Sequence, residues 1–177
     1  DGAIAGADGS ITLDPYAGAV PAAIATRFKY VGSGGVFAVR AADAPRLKKL
    51  LTNQVVLVQE DANGAIQNAT TAQLAGALDD LYAHAASAGP LGATVEHGRT
   101  TFRLWAPTAR NVSLYAYPGA TAGAKLALPM ALDADTGIWS LTVPGDWNGL
   151  YYMYGVQVFV RGTGVVRNIV TDPYSLS

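Results

Sequence analysis

The chain has no cysteine among its 177 residues, which excludes a disulfide framework, a thiolate nucleophile and any zinc site built on cysteine. Charge is scarce as well. Twelve basic residues face 13 acidic ones for a formal net charge of -1. No basic run supplies the electrostatic footprint that nucleic acid or an anionic membrane surface requires. Long apolar runs are missing too: Gly, Pro, Thr or charge interrupts each one well before the roughly 18 to 20 residues that a membrane helix needs. Asp80 and His84 stand four apart, but a metal site needs three or four ligands and only one other histidine, His97, exists. These absences point to no metal, no cofactor, no nucleic acid and no membrane as partners.

What is present is apolar residues at 50% of the chain, enough to build one large or two small cores without staples. The segment 1–9 is small and Gly/Ala-rich, and Ser10-Ile11-Thr12-Leu13 alternates as a short strand closed by Asp14-Pro15. Pro21 and many small residues over 17–25 predict an extended connection, and Arg27-Phe28-Lys29-Tyr30-Val31 alternates like a surface strand. Gly32-Ser33-Gly34-Gly35 then turns the chain into a strand, Val36 to Arg40. A phosphate loop needs a helix at that point, and no Gly-Lys-Ser/Thr is present, so nucleotide binding is rejected.

Asp43-Ala44-Pro45 predicts an N-cap for a short helix with Leu47, Leu50 and Leu51 inward and Arg46, Lys48 and Lys49 on a solvated face. Val55 to Val58 reads as a buried strand, and Asp61-Ala62-Asn63-Gly64 as a hairpin turn. Leu74, Leu78, Leu81 and Tyr82 lie at helical spacing, so at least the second half of 70–86 should be helix, stopped by Ala88-Gly89-Pro90. That stop is the expected domain boundary.

Beyond it the pattern changes to seven short strands, at about 94–96, 101–106, 113–117, 126–130, 138–143, 151–159 and 165–170, which indicates a β-sandwich. Phe102-Arg103-Leu104-Trp105-Ala106 alternates until Pro107, which has no N–H for a ladder, and Val112, Leu114 and Ala116 resume the period of two in a β-arch or hairpin. Trp139, Leu141 and Val143 share one face, and Tyr152, Tyr154, Val156 and Val158 another; these should be the two inner faces.

Chemistry has little foothold in these residues. Glycoside hydrolysis needs two opposed carboxylates roughly 5 to 10 Å apart in a cleft, whereas adjacent Asp79 and Asp80 on a helix diverge by about 100°. Asp133-x-Asp135-x-Gly137 imitates a calcium loop, but its glycine comes one place early and the twelfth position is Pro144, so a hairpin turn is expected. No Gly-x-Ser-x-Gly elbow occurs. What remains is binding through aromatics: Trp147, Tyr151 and Tyr117 fall at strand ends or loops where a flat face could meet a sugar ring or a neighbouring domain.

The motifs quoted above carry a resemblance. Phe102-Arg103-Leu104-Trp105-Ala106-Pro107 with Ala109-x-x-Val112-x-Leu114 resembles the opening of the Ig-like starch-binding-type module, carbohydrate-binding module family 48. Asp135-x-Gly137-x-Trp139-x-Leu141-x-Val143-Pro144-Gly145, Gly149-x-Tyr151-Tyr152-x-Tyr154-x-Val156 and Thr171-Asp172-Pro173-Tyr174 are similar to the pullulanase and limit-dextrinase branch of the α-amylase superfamily, glycoside hydrolase family 13. Upstream, Leu78-Asp79-Asp80-Leu81-Tyr82 before Leu91-Gly92 is similar to the segment that enters this module. Glycogen-gripping members carry a Trp after the second strand, a Lys on the strand near Met153, and a Trp before the Asp-Pro turn. This chain has Pro118-Gly119-Ala120-Thr121, Met153 and Gly155, and Val165-Val166-Arg167 there.

The resemblance implies a mainly β fold, with a pullulanase-type N-terminal domain over 1–90, carrying one or two short helices, and an Ig-like antiparallel β-sandwich over 91–177. It implies a non-catalytic N-terminal fragment of an α-1,6-debranching enzyme. Its partners would be the catalytic domain of the same parent and branched α-glucan (starch, glycogen, pullulan). The alternative is a free-standing Ig-like interaction module with no enzyme attached.

Overall fold

Alternating apolar and polar residues over 92–170 fold, in the computed structural model, into two four-stranded sheets facing each other. The described residues are 6–30, 34–124 and 126–175. One sheet has the order β5 (Gly92–Glu96), β6 (Arg99–Trp105), β10 (Ile138–Pro144), β9 (Ala131–Asp133). The other runs β12 (Gly164–Val170), β11 (Tyr151–Val160), β7 (Asn111–Tyr117), β8 (Leu126–Pro129). Their pairings are antiparallel throughout.

Because β6 and β7 belong to different sheets, the turn at Pro107 is an arch and not a hairpin. Proline removes one ladder donor there, and the Ala109 N–H closes a turn onto Ala106 O at 3.0 Å. A second crossing is subtler. The expected strand over 126–130 is β8 as far as Pro129; buried Met130 forms the corner, its N–H on Val112 O at 3.0 Å, and β9 continues in the opposite sheet. β9 went unanticipated because three residues show no period.

The inner faces meet as expected. Phe102 and Leu104 from β6, Trp139 and Val143 from β10, Val112 and Leu114 from β7, and Tyr154 from β11 form one buried cluster, with Leu141, Tyr152, Val156 and Val158 packed against it. Phe102 and Tyr152 meet edge to face at 4.9 Å, and Tyr152 and Tyr154 at 5.7 Å. This geometry suits the ring quadrupoles. The Trp139 indole N–H donates to Ala106 O at 3.0 Å, so its polar edge is satisfied inside the core. Truncating an aromatic here typically costs about 3 to 5 kcal/mol.

The chain divides into two units, Asp1–Leu47 with Gln59–Asn68, and Lys48–Val58 with Ala69–Ser177. In the second, α3 (Ala75–Leu81) and a 3-10 turn over Ala83–Ser87 realise the expected helix. Its last residues bring Tyr82 to 5% exposure over Gly137, where an added Cβ would meet the Tyr82 ring at 2.9 Å. Lys48 lies 4.8 Å from that ring and donates to Ala134 O at 2.7 Å. It is therefore a staple and not the solvated cation expected of it.

The first unit departs more from expectation. β1 (Leu13–Pro15) pairs with β2 (Phe37–Val39), and Arg40 grips Asp14 through Nη2 at 2.7 Å. Where an extended connection and a surface strand were expected, α1 (Ala22–Arg27) forms, with Pro21 as its N-cap and Phe28 its C-cap. Proline acted as a helix start, and the alanines behind it favour helix. Val31, Gly32 and Ser33 lie outside the described residues. Asp43 makes no side-chain cap; its carboxylate takes the Arg46 guanidinium at 2.7 Å, and α2 (Leu47–Leu50) is a single turn.

The hairpin turn forms as expected, with β3 (Val56–Glu60) and β4 (Ile66–Thr71) paired. Asp61 accepts the N–H of Asn63 at 2.8 Å and of Ala65 at 2.9 Å, the local bonding that Asp offers a turn. β3 is not the buried strand expected: none of its residues is buried.

Candidate functional site

Strand alternation decides which aromatics can meet a partner. On β7 the buried Val112, Leu114 and Ala116 point inward, as Tyr152 and Tyr154 do on β11. The intervening residues therefore stand on the outer face of that sheet: Tyr115 and Tyr117 on β7, and Tyr151, Met153 and Gly155 on β11.

Two of the three sequence candidates come together there. Tyr117 and Tyr151 are register partners, so their side chains share one face as neighbours. Tyr151 is 55% exposed and Tyr117 half-buried. Beside them the Tyr115 ring lies against Gly155, in the space a Cβ would fill, and its hydroxyl accepts from Arg167 Nη1 at 3.2 Å. Ile169, the partner of Gly155 on β12, extends the strip at 44% exposure. Flat rings flanked by hydroxyls can stack on an apolar ligand face and hydrogen-bond around it.

Trp147 sits elsewhere. Its ring meets Phe102 edge to face at 5.6 Å, its indole N–H donates to Pro144 O at 3.2 Å, and its backbone N–H donates to Thr100 Oγ1 at 3.0 Å. Those bonds tie it to the core and the β10 end.

Sequence reasoning did not single out Asp172 for its own role. Only 4% exposed, it accepts from the Tyr152 hydroxyl at 2.6 Å, the Tyr154 hydroxyl at 3.1 Å and the Tyr174 N–H at 2.8 Å. Burial, followed by the bond to and charge of Asp172, pushes the Tyr152 phenol well above its ordinary range; burial and the same charge do so for Tyr154. The signal was a tyrosine two places from another with an Asp-Pro turn downstream, which pattern alone cannot join. All of the carboxylate's partners here are donors that hold it in place.

Asp133 serves a turn. Asp133 accepts the Thr136 hydroxyl at 2.7 Å and the Asp135 N–H at 2.9 Å, and these bonds hold its carboxyl below the usual range. Among the described residues no three His, Cys, Asp or Glu side chains group as a metal site.

Residues 1–80 match the pullulanase N2 domain family, and residues 90–175 match carbohydrate-binding module 48, the isoamylase N-terminal domain family. Pullulanase of Klebsiella pneumoniae is 35% identical over 157 residues, covering 87% of this chain and 14% of that protein. The chain is homologous to the N-terminal region of pullulanases. The chloroplastic pullulanase 1 of Arabidopsis thaliana is 31% identical over 176 residues, covering 97% of this chain and 17% of its own length. Among solved structures, the maltotriose complex of PulA from Klebsiella pneumoniae superposes with a TM-score of 0.85 at 34% identity, covering 96% of this chain and 18% of that one. The chain thus spans about one-sixth of the length of the pullulanases it matches.

Proposed function

We propose that this chain is a non-catalytic part of a longer pullulanase-type glycoside hydrolase that cleaves α-1,6 branches. In this reading residues 1–90 form the pullulanase-type N-terminal domain and 91–177 the family 48 module. The module packs against the catalytic domain of the same protein and helps to position branched α-glucan. The observation that carries the reading is the pair of consecutive family matches spanning nearly the whole chain.

Direct sugar contact is the secondary part of the proposal, and the Tyr117–Tyr151 pair supports it: two neighbouring phenols on an outer sheet face. Trp147 closes the turn that leads into Tyr151, its carbonyl accepting the Leu150 N–H at 3.1 Å. Isothermal titration of the chain with a cyclic maltooligosaccharide and with amylopectin tests it. Millimolar binding weakened by Tyr151→Ala is expected; micromolar affinity would overturn the scaffold emphasis, and turnover of α-1,6-glucan by the purified chain would overturn the non-catalytic assignment.

A further inference from the structure

Two asparagines of the chain precede a glycine, Asn63–Gly64 and Asn148–Gly149, and the fold treats them differently. We infer that Asn148 is a site of spontaneous deamidation, a covalent modification that turns its side-chain amide into a carboxylate, whereas Asn63, in the same sequence context, is protected by its turn.

Asparagine is chemically labile, and the reaction asks three things of its surroundings. The next main-chain nitrogen must reach the side-chain amide carbon, its N–H must be free to lose its proton, and no side chain may crowd the approach. Gly149 has no Cβ, and one added there would meet nothing within 4 Å. Asn148 is exposed, and its side-chain amide makes no hydrogen bond among the described residues. The Gly149 N–H makes none either; the turn around it is closed by the following amide, Leu150 N–H to Trp147 O at 3.1 Å.

Asn63 matches Asn148 in exposure and in open space at its glycine. The difference is the nucleophile. The Gly64 N–H donates to Asp61 O at 3.0 Å, while Asp61 Oδ1 accepts the N–H of Asn63 at 2.8 Å and of Ala65 at 2.9 Å. Before that nitrogen can attack, it must leave its bond and the turn braced by Asp61 must open.

At Asn148 base takes the Gly149 N–H proton, and the nitrogen bonds to Asn148 Cγ. The Cγ–Nδ2 bond then breaks, and the side-chain nitrogen leaves with a proton as ammonia, closing a cyclic imide. Water adds to either ring carbonyl and opens it to aspartate or to isoaspartate, whose main chain runs through Cβ. The product sets a second carboxylate beside Asp146, whose Oδ1 takes the Asn148 N–H at 2.8 Å. The isoaspartate form also lengthens the main chain of the turn that leads into Tyr151.

Incubating the chain at mildly alkaline pH in heavy-oxygen water, with peptide mapping by mass spectrometry, reads both sites in one sample. Asn148 should yield labelled aspartate and isoaspartate about tenfold faster than Asn63, equivalent to about 1.4 kcal/mol, which is within the net worth of one hydrogen bond. In concentrated urea the two rates should converge, because the difference belongs to the fold and not to the shared Asn-Gly pair. Asp61→Ala, which releases the Asn63 and Ala65 amides, should speed Asn63 and leave Asn148 unchanged. Equal rates in the folded chain, a faster Asn63, or an Asn63 rate that Asp61→Ala does not move would overturn the inference. So would aspartate without isoaspartate at Asn148, since only the cyclic imide opens to both.

Discussion

The Tyr152 hydroxyl and the Asp172 carboxylate lie 2.6 Å apart, joining an inward residue of β11 to the turn that follows β12. Tyr154 donates to the same oxygen at 3.1 Å, so one buried acid ties two core tyrosines to the Asp172-Pro173-Tyr174 turn. Removing the acid leaves two buried hydroxyls without an acceptor. Asp172→Ala should cost about 2 to 4 kcal/mol and Tyr152→Phe about 1 to 2 kcal/mol, read as urea midpoints. A double-mutant cycle that proves additive would show that the pair does not interact.

The same contact governs alkaline behaviour. Tyr152 and Tyr154 have folded-state values raised above the ordinary phenol value of 10.0 by burial and by Asp172. A raised value contributes stability that is fully present below the unfolded pKa and is lost as pH rises toward the folded one. Stability should therefore fall above about pH 10, and absorbance titration should show tyrosinate from these two only as the sandwich unfolds. Reversible ionisation of all nine tyrosines in the native protein would contradict it.

Gly137 combines a left-handed φ of 69° with a crowded position, since a Cβ would meet Pro107 at 2.7 Å and Tyr82 at 2.9 Å. Gly137→Ala adds backbone strain to a clash on both sides of the β9–β10 turn. A loss of about 1 to 3 kcal/mol is expected, with the Trp105 indole signal shifted because Thr136, whose carbonyl takes that N–H at 3.0 Å, moves. A thermal midpoint unchanged from wild type would refute the packing described.

Asp133 has a depressed carboxyl, held by the Thr136 hydroxyl first and the Asp135 N–H next. Its contribution is present above the unfolded carboxylate pKa and is lost as pH falls through the folded one. Carboxyl-carbon NMR should find Asp133 titrating below the ordinary aspartate range, and Thr136→Val should raise its value toward it. An unmoved value would mean that another group sets the shift.

The sandwich half was legible because its strands are long enough to show their period. Seven residues of β6 or β7 state which side chains face inward, and two facing sheets are the simplest way to bury both stripes. Two of the acids were legible for a similar reason: Asp61 and Asp133 act within their own turns, on amides two to four residues away. Where period was short, reading failed. α1 is six residues beginning after a proline that also reads as a breaker, β9 is three residues, and Lys48 reads as a surface cation until its ammonium is seen on Ala134 O.

By itself, then, the chain's order of residues determined a mainly β protein and the inward and outward stripes of its longer strands, and it offered Trp147, Tyr151 and Tyr117 as candidates, since each depends on neighbours within a few positions; that the turn at Pro107 is an arch and not a hairpin was left to the tertiary structure. Only the tertiary structure decided that Tyr117 stands beside Tyr151 across two strands while Trp147 is tied to the core. It alone placed Asp172 under Tyr152 and Tyr154. The reason is physical: pairing across a sheet and packing between sheets join residues tens of positions apart, and no local period encodes which of them will meet.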